Sequence, residues 1–268
     1  THFLVNGSTV GILSAILGVT RRGDEILVAR NCHKSVYHAL EMQGLHPVYV
    51  YPGFDPDTQL NTEISADDIR RALETHPNIR AAVIVSPTYD GIVSDVESIA
   101  EAVHVDEAHG AHFGFHPCFP ENANQKGADI VIHSLHKTLP SLTQTALLHI
   151  NGERVDRRRV RKYLHMLESS SPSYVLMAGI DACIHMLRER REELFGPYVE
   201  MLKRTRNELG ALKRLRLAKA DNMEPSKLVI SCAGSGLSSR ELYRKLLDDY
   251  HLQPEMRAGG YVLLMTSI

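Results

Sequence analysis

Along this chain, short β-branched runs alternate with stretches whose apolar residues fall three or four apart. Residues 25–29, 47–51, 79–85, 129–133 and 145–150 read as strands, because each is a compact apolar run bounded by turn residues. Residues 8–17, 34–43 and 65–74 have helical spacing. Gly44 is placed to cap the second of these, and residues 65–68 and 94–97 resemble capping boxes. Strands separated by helices imply an α/β fold with a mainly parallel sheet. Ligands of such sheets sit at the carboxyl ends of the strands.

From residue 153 the pattern turns mostly helical, with an apolar stripe over residues 174–187. A second unit carries a strand at 227–232, a helix at 238–249 and a strand at 261–265. The expected division is a large domain over residues 1–195 and a partial C-terminal domain over 196–268. The chain opens on Phe3-Leu4-Val5 and closes inside a strand, which suggests a fragment. One stretch does not parse. A helix from Ser94 to about His104 leaves only Val103-His104-Val105 for both a connection and a strand before Asp106. Such a connection usually takes about 2–6 residues and a strand about 5–6, so several residues are expected to be missing there.

Composition narrows the function classes. Hydrophobic content of 43% and charged content of 23% are those of a globular protein. A formal net charge of −2 argues against a broad nucleic-acid surface. The basic run 154–162 reads as the solvated face of a helix. No apolar run is long enough to cross a bilayer. The four cysteines are scattered without a C-x-x-C pair, which fits free thiols in a reducing cytoplasm.

The residues that follow the strands carry the candidate chemistry. Asn6-Gly7-Ser8-Thr9 precedes a helix, whose N-terminus favours an anion. His33 follows the strand at 25–29, where an imidazole can stack on an aromatic ring. Ser134-Leu135-His136-Lys137 follows an apolar strand. A lysine there can form a Schiff base if its surroundings keep it partly deprotonated, and Ser134 and His136 suit a phosphate. Asp106-Glu107-Ala108-His109 has three readings. It spells a helicase acidic box, but the phosphate loop that box requires is absent. It could belong to a metal site with His112 and His116. Or Asp106 pairs with a protonated pyridine nitrogen, with Ala108 small because a flat ring lies against it.

Taken in order, these motifs resemble the Orn/Lys/Arg decarboxylase family of fold-type-I pyridoxal-phosphate enzymes. The resemblance rests on residues 3–9, 31–36, 87–91, 105–112, 134–139 and 169–174. It implies that the large domain binds pyridoxal 5'-phosphate. Gly7, Ser8 and Thr9 would hold the phosphate, with Ser134 and His136. His33 would stack on the ring, Asp106 would bind its nitrogen beside Ala108, and His109 would lie near the cofactor oxygen or substrate carboxylate. Lys137 would form the Schiff base. Lys137, His109 and Asp106 are thus the expected catalytic residues. The implied reaction is decarboxylation of arginine, lysine or ornithine, with Asp90 and Glu255 as candidates for the distal cation. Residues 170–173 are similar to a segment that reaches the neighbouring subunit's cofactor, which implies a homodimer or larger assembly. Two other readings stay open: a pyridoxal-dependent aminotransferase or lyase on another amino acid, and a non-catalytic relative.

Overall fold

The computed structural model describes residues 1–99 and 103–268. In chain order its first elements are β1 (His2–Leu4), α1 (Gly7–Val19), β2 (Glu25–Ala29), α2 (Lys34–Gln43) and β3 (His46–Val50). A hairpin of β4 (Phe54–Asp55) and β5 (Leu60–Asn61) follows, then α3 (Ala66–Thr75), β6 (Ile79–Val85), α4 (Val96–Ile99) and β7 (Val103–Asp106). Next come β8 (Ile130–Ser134), α5 (Leu135–Thr138), β9 (Ala146–Ile150), α6 (Arg157–Leu167) and α7 (Tyr174–Gly210). The last elements are β10 (Arg216–Leu217), β11 (Lys227–Ser231), α8 (Ser239–Asp248), β12 (Met256–Ala258) and β13 (Tyr261–Met265).

The main sheet has seven strands in the order β1-β9-β8-β7-β6-β2-β3. Strands β3, β2, β6, β7 and β8 are parallel, and β9 is antiparallel to both β8 and β1. Alternate residues face opposite sides, as a strand requires. Ile26, Val28, Val83, Ile130 and Ile132 join the core under α1, α2 and α6, whereas Leu27, Ala29, Ile84, Val105 and Val131 join the core that includes α3 and α4. Both faces are therefore covered, which explains why these strands read as continuous apolar runs. Each of the valine, leucine and isoleucine side chains contributes about 1.5–3 kcal/mol by leaving water.

Helix ends follow local chemistry. α2 stops where Gly44 takes a left-handed conformation, φ 61°. The capping box at the start of α3 does not form. Ser65 makes no side-chain cap bond, and Asp67 and Asp68 pair with Arg70 and Arg71 instead. Before α4, the Ser98 N–H bonds to Asp95, while Ser94 Oγ accepts from the Ile64 N–H. The passage from α4 to β7, where missing residues were expected, falls on residues 100–102 and lies outside the described residues. Asp106 nonetheless ends a strand paired on both sides, with β6 and β8.

The second sheet, β10-β11-β13-β12, is antiparallel throughout. Its α8 carries a true capping box between Ser238 and Glu241. It shares a core with α7 through Leu187, Phe195, Tyr198, Leu228 and Val262. The expected boundary at residue 196 falls inside α7, which continues through Pro197 with a kink at Arg190. Of the 174–187 stripe, Ile180, Cys183 and Leu187 are buried, and Tyr174 and Val175 are exposed.

Candidate active site

Because β2, β6, β7 and β8 run in one direction, the residues after them gather at one sheet edge. The start of α1 joins this edge, since β1 is antiparallel to β9 as β8 is. The Gly7 N–H donates to Gln144 O at 2.9 Å, tying the α1 turn to the loop after α5.

Lys137 lies on α5, a single turn following β8. Its Nζ is 2.9 Å from His109 Nε2. Burial lowers the lysine's pKa. The Asp106 carboxylate opposes that shift, the Lys227 cation reinforces it, and Glu255 opposes it. Burial, then Lys137, holds His109 well below the usual imidazole range. The pair is thus poised with a neutral imidazole facing an amine that gives up its proton readily.

Asp106 is 3% exposed. Its Oδ1 accepts the Ala108 N–H at 3.1 Å. Burial pushes its carboxyl up, against the pull of Lys137. A buried carboxylate of this kind suits a cationic N–H such as that of a pyridinium ring. Ala108, also buried, leaves room beside it. His33 caps α2, its Nδ1 accepting from the Ser35 N–H at 3.3 Å. Burial and then Lys137 lower its pKa, so it stands within electrostatic reach of the lysine.

The phosphate side is equally specific. Asn6 gives α1 no side-chain cap, so the N–H groups at Gly7, Ser8 and Thr9 are not capped by it. Ser134 Oγ and Thr138 Oγ1 are buried without a hydrogen-bond partner. His136 Nδ1 lies 3.1 Å from Thr145 O, which leaves its other nitrogen for a ligand. The Gly7 N–H is taken by Gln144 O, so the Ser8 and Thr9 N–H groups and the Ser134 and Thr138 hydroxyls are the groups that suit a phosphate dianion.

Both candidate acids for substrate recognition are held by tyrosines. Tyr89 donates its hydroxyl to Glu255, and its ring centroid lies 4.5 Å from that of His109. Tyr261 donates to Asp90 Oδ1 at 2.7 Å, and burial pushes the Asp90 carboxyl up. The three histidines of the metal reading have different neighbours. His109 meets Lys137, His112 Nε2 lies 3.5 Å from Glu224, and His116 Nδ1 accepts the Cys118 N–H. Glu107 is structural, accepting the Ala123 N–H and standing 2.6 Å from His133 Nε2. Tyr89, Thr138 and Lys227 were not singled out from sequence. The first two stand inside motifs that were noticed. Lys227 carries no local signal.

A cavity of about 940 Å³ lies elsewhere, bordered by Leu135, His133, His149, Leu187 and Arg190. Convergent chemistry, and not cavity size, makes Lys137 the candidate centre. Ser170–Ser173 are exposed just before α7.

The family described as Orn/Lys/Arg decarboxylase, major domain, matches residues 1–232. The chain belongs to the Orn/Lys/Arg decarboxylase family. Enzymes of this family are pyridoxal-5'-phosphate-dependent amino-acid carboxy-lyases. An arginine decarboxylase of Halalkalibacterium halodurans is 31% identical over 282 residues, covering 100% of this chain and 57% of that protein. That alignment is longer than the 268 residues here, so the relative has segments with no counterpart in this chain. The uncharacterized protein YaaO of Bacillus subtilis is 45% identical over 217 residues, covering 76% of this chain and 45% of its own length. The constitutive lysine decarboxylase of Escherichia coli has the same fold, with a TM-score of 0.83 at 23% identity, over 99% of this chain and 46% of that one. The chain spans about half the length of these relatives.

Proposed function

We propose that this chain is the cofactor-binding part of an enzyme that decarboxylates arginine, lysine or ornithine to the amine and CO₂, with pyridoxal 5'-phosphate carried by Lys137. The observation that carries this reading is the Lys137–His109 pair, with Lys137 in electrostatic reach of buried Asp106, at the ends of β7 and β8. Arginine and lysine decarboxylases among the relatives support the substrate class.

When bound, the cofactor supplies an electron sink for the pair left as CO₂ departs. The chain's own residues do the rest. Asp106 would hold the ring nitrogen's proton. His33 would cover the ring, and Ala108 would leave room for it. Ser8, Thr9, Ser134 and His136 would hold the phosphate at the start of α1. Lys137 Nζ and His109 Nε2 hold the proton that the α-carbon receives. Glu255, anchored by Tyr89, and Asp90, anchored by Tyr261, are the candidate acceptors for the substrate's distal cation.

The assembly we propose is a homodimer or larger homo-oligomer in which exposed Ser170–Ser173 reach the neighbouring site, with Tyr174 and Val175 in the contact. We place the enzyme in the cytoplasm, where its four free cysteines stay reduced, and its amine product in polyamine synthesis. The deciding experiment measures CO₂ and amine released from arginine, lysine and ornithine in the presence of pyridoxal 5'-phosphate. Borohydride treatment should fix the cofactor to the peptide containing Lys137. A keto-acid product, or fixation elsewhere, would overturn the reading.

A further inference from the structure

β7 and β8 pair in parallel, and the last rung of their ladder joins Asp106 to Ile132. One residue further along each segment stand Glu107 and His133. Glu107 is 2% exposed and His133 4%. Glu107 Oε2 lies 2.6 Å from His133 Nε2. By alternation His133 shares the sheet face of Val131 and Val105, while Asp106 and Ser134 fall on the opposite face. The contact therefore carries the β7–β8 pairing one step past its last rung, behind the site.

Each partner is joined to site residues through the backbone. Glu107 O accepts the Gly110 N–H at 2.9 Å, closing the turn that carries Ala108 and His109. That turn is tight: a Cβ at Gly110 would stand 2.7 Å from Glu107 Cγ and 2.8 Å from Pro87 Cδ. His133 directly precedes Ser134 and the α5 turn bearing Lys137. The Ala123 N–H donates to the Glu107 carboxyl, 3.1 and 3.2 Å from its two oxygens.

The hydrogen bonds around the pair locate its proton. The Asn124 N–H donates to Asn122 Oδ1 at 3.0 Å, which fixes the oxygen end of the Asn122 amide. Asn124 Nδ2 donates to the same oxygen at 2.6 Å, and Asn124 Oδ1 accepts from Asn151 Nδ2 at 2.8 Å. Asn122 Nδ2 is thus a donor, 3.2 Å from His133 Nε2. A donor facing that nitrogen requires a lone pair on it, with the ring's proton on Nδ1. The hydrogen in the 2.6 Å contact then belongs to Glu107. The electrostatics agree. Burial, opposed by the Ala123 N–H, His112 and Lys126 and reinforced by Asp106, raises the Glu107 carboxyl well above its usual range. Burial also lowers His133 to about 4, against the pull of Asp106.

We propose that Glu107 is a positioning residue of this site, a neutral carboxylic acid whose bond to His133 clasps the strand end bearing Asp106 to the one bearing Lys137. This rests on the assignment of Lys137 as the cofactor lysine. A neutral Glu107 also leaves the negative charge of the Asp106-Glu107 pair to Asp106 alone. Ionised, it would set a second carboxylate beside the first in a dry interior.

The first arm of the test reads the proton. In the cofactor-free chain at pH 7, the infrared difference between the unsubstituted protein and Glu107→Gln should contain a carboxylic-acid C=O band that shifts in D₂O. Carboxylate bands in its place would overturn the proposal. The amide can donate to His133 and accept from Ala123 as the acid does, so failure of Glu107→Gln to fold would overturn it too. The second arm reads the positioning in the protein loaded with pyridoxal 5'-phosphate. Glu107→Ala should lower kcat on the order of 10²-fold, the cost of about a 1 Å misplacement, with a smaller change in KM. It should also move the pH at which the cofactor's absorbance titrates, and Glu107→Gln should rescue both. If Glu107→Ala does not fold, Glu107→Asp, whose carboxyl is drawn back by one methylene, takes its place. An unmoved titration in folded variants would make the clasp merely structural and overturn the proposal, as would failure of both variants to fold. Cofactor fixed by borohydride to a residue other than Lys137 sinks the decarboxylase assignment instead, and leaves the infrared result standing.

Discussion

The Tyr89 hydroxyl donates to the Glu255 carboxylate while the Tyr89 ring lies 4.5 Å from the imidazole of His109. One side chain thus joins a carboxylate near the second sheet to the base beside Lys137. If Glu255 receives the substrate's distal cation, Glu255→Gln should raise KM for the basic amino acid with little change in kcat. Tyr89→Phe should raise KM less and lower kcat, because it also frees the ring against His109. Steady-state kinetics on both variants separates these effects.

Lys137→Ala should abolish both the yellow chromophore and its fixation by borohydride. His109→Gln should keep the chromophore and slow amine formation by roughly 10²–10⁴-fold, the range for a lost proton-transfer group. Absorbance spectra and CO₂ release check the two variants side by side.

Asp106 should oppose folding in the cofactor-free chain. Burial raises its carboxyl pKa, so the folded state binds a proton more readily than the unfolded one, and stability falls as pH rises above the ordinary carboxylate range. Asp106→Asn should therefore raise the Tm of the cofactor-free chain at pH 7. The same substitution should weaken pyridoxal 5'-phosphate binding, measured by absorbance titration.

His104 supplies the opposite sign. It is buried in β7, and burial holds its pKa at about 4 against the usual 6.5. The unfolded chain takes up this proton first as pH falls, so stability is full above about 6.5 and is lost toward 4. Between pH 7 and pH 5 this one group costs about 2 kcal/mol. His104→Gln should remove about that much of the pH dependence of the unfolding free energy measured in urea over the same range.

Much of the fold was legible because the parallel strands are buried on both faces and their apolar runs are uninterrupted. The placing of Lys137 against His109 was legible because Asp106 ends a strand and Lys137, His109 and His33 follow strands in recognisable motifs. Lys227 was not. A lysine at the start of a strand reads as solvated, whereas its stem packs beside Gly91, 136 positions earlier in the chain, and is buried. The expected division at residue 196 falls within α7, which runs on through Pro197 with its non-helical residue at Arg190. The capping box at Ser65 was read from residue types whose carboxylates turned to nearby arginines.

The hydrogen bond from Gly7 to Gln144 has a further consequence. It ties the turn proposed to grip the phosphate to the loop that follows the proposed cofactor lysine. Lengthening the loop between Leu139 and Thr145 should therefore disturb both at once and weaken pyridoxal 5'-phosphate binding, read by absorbance titration.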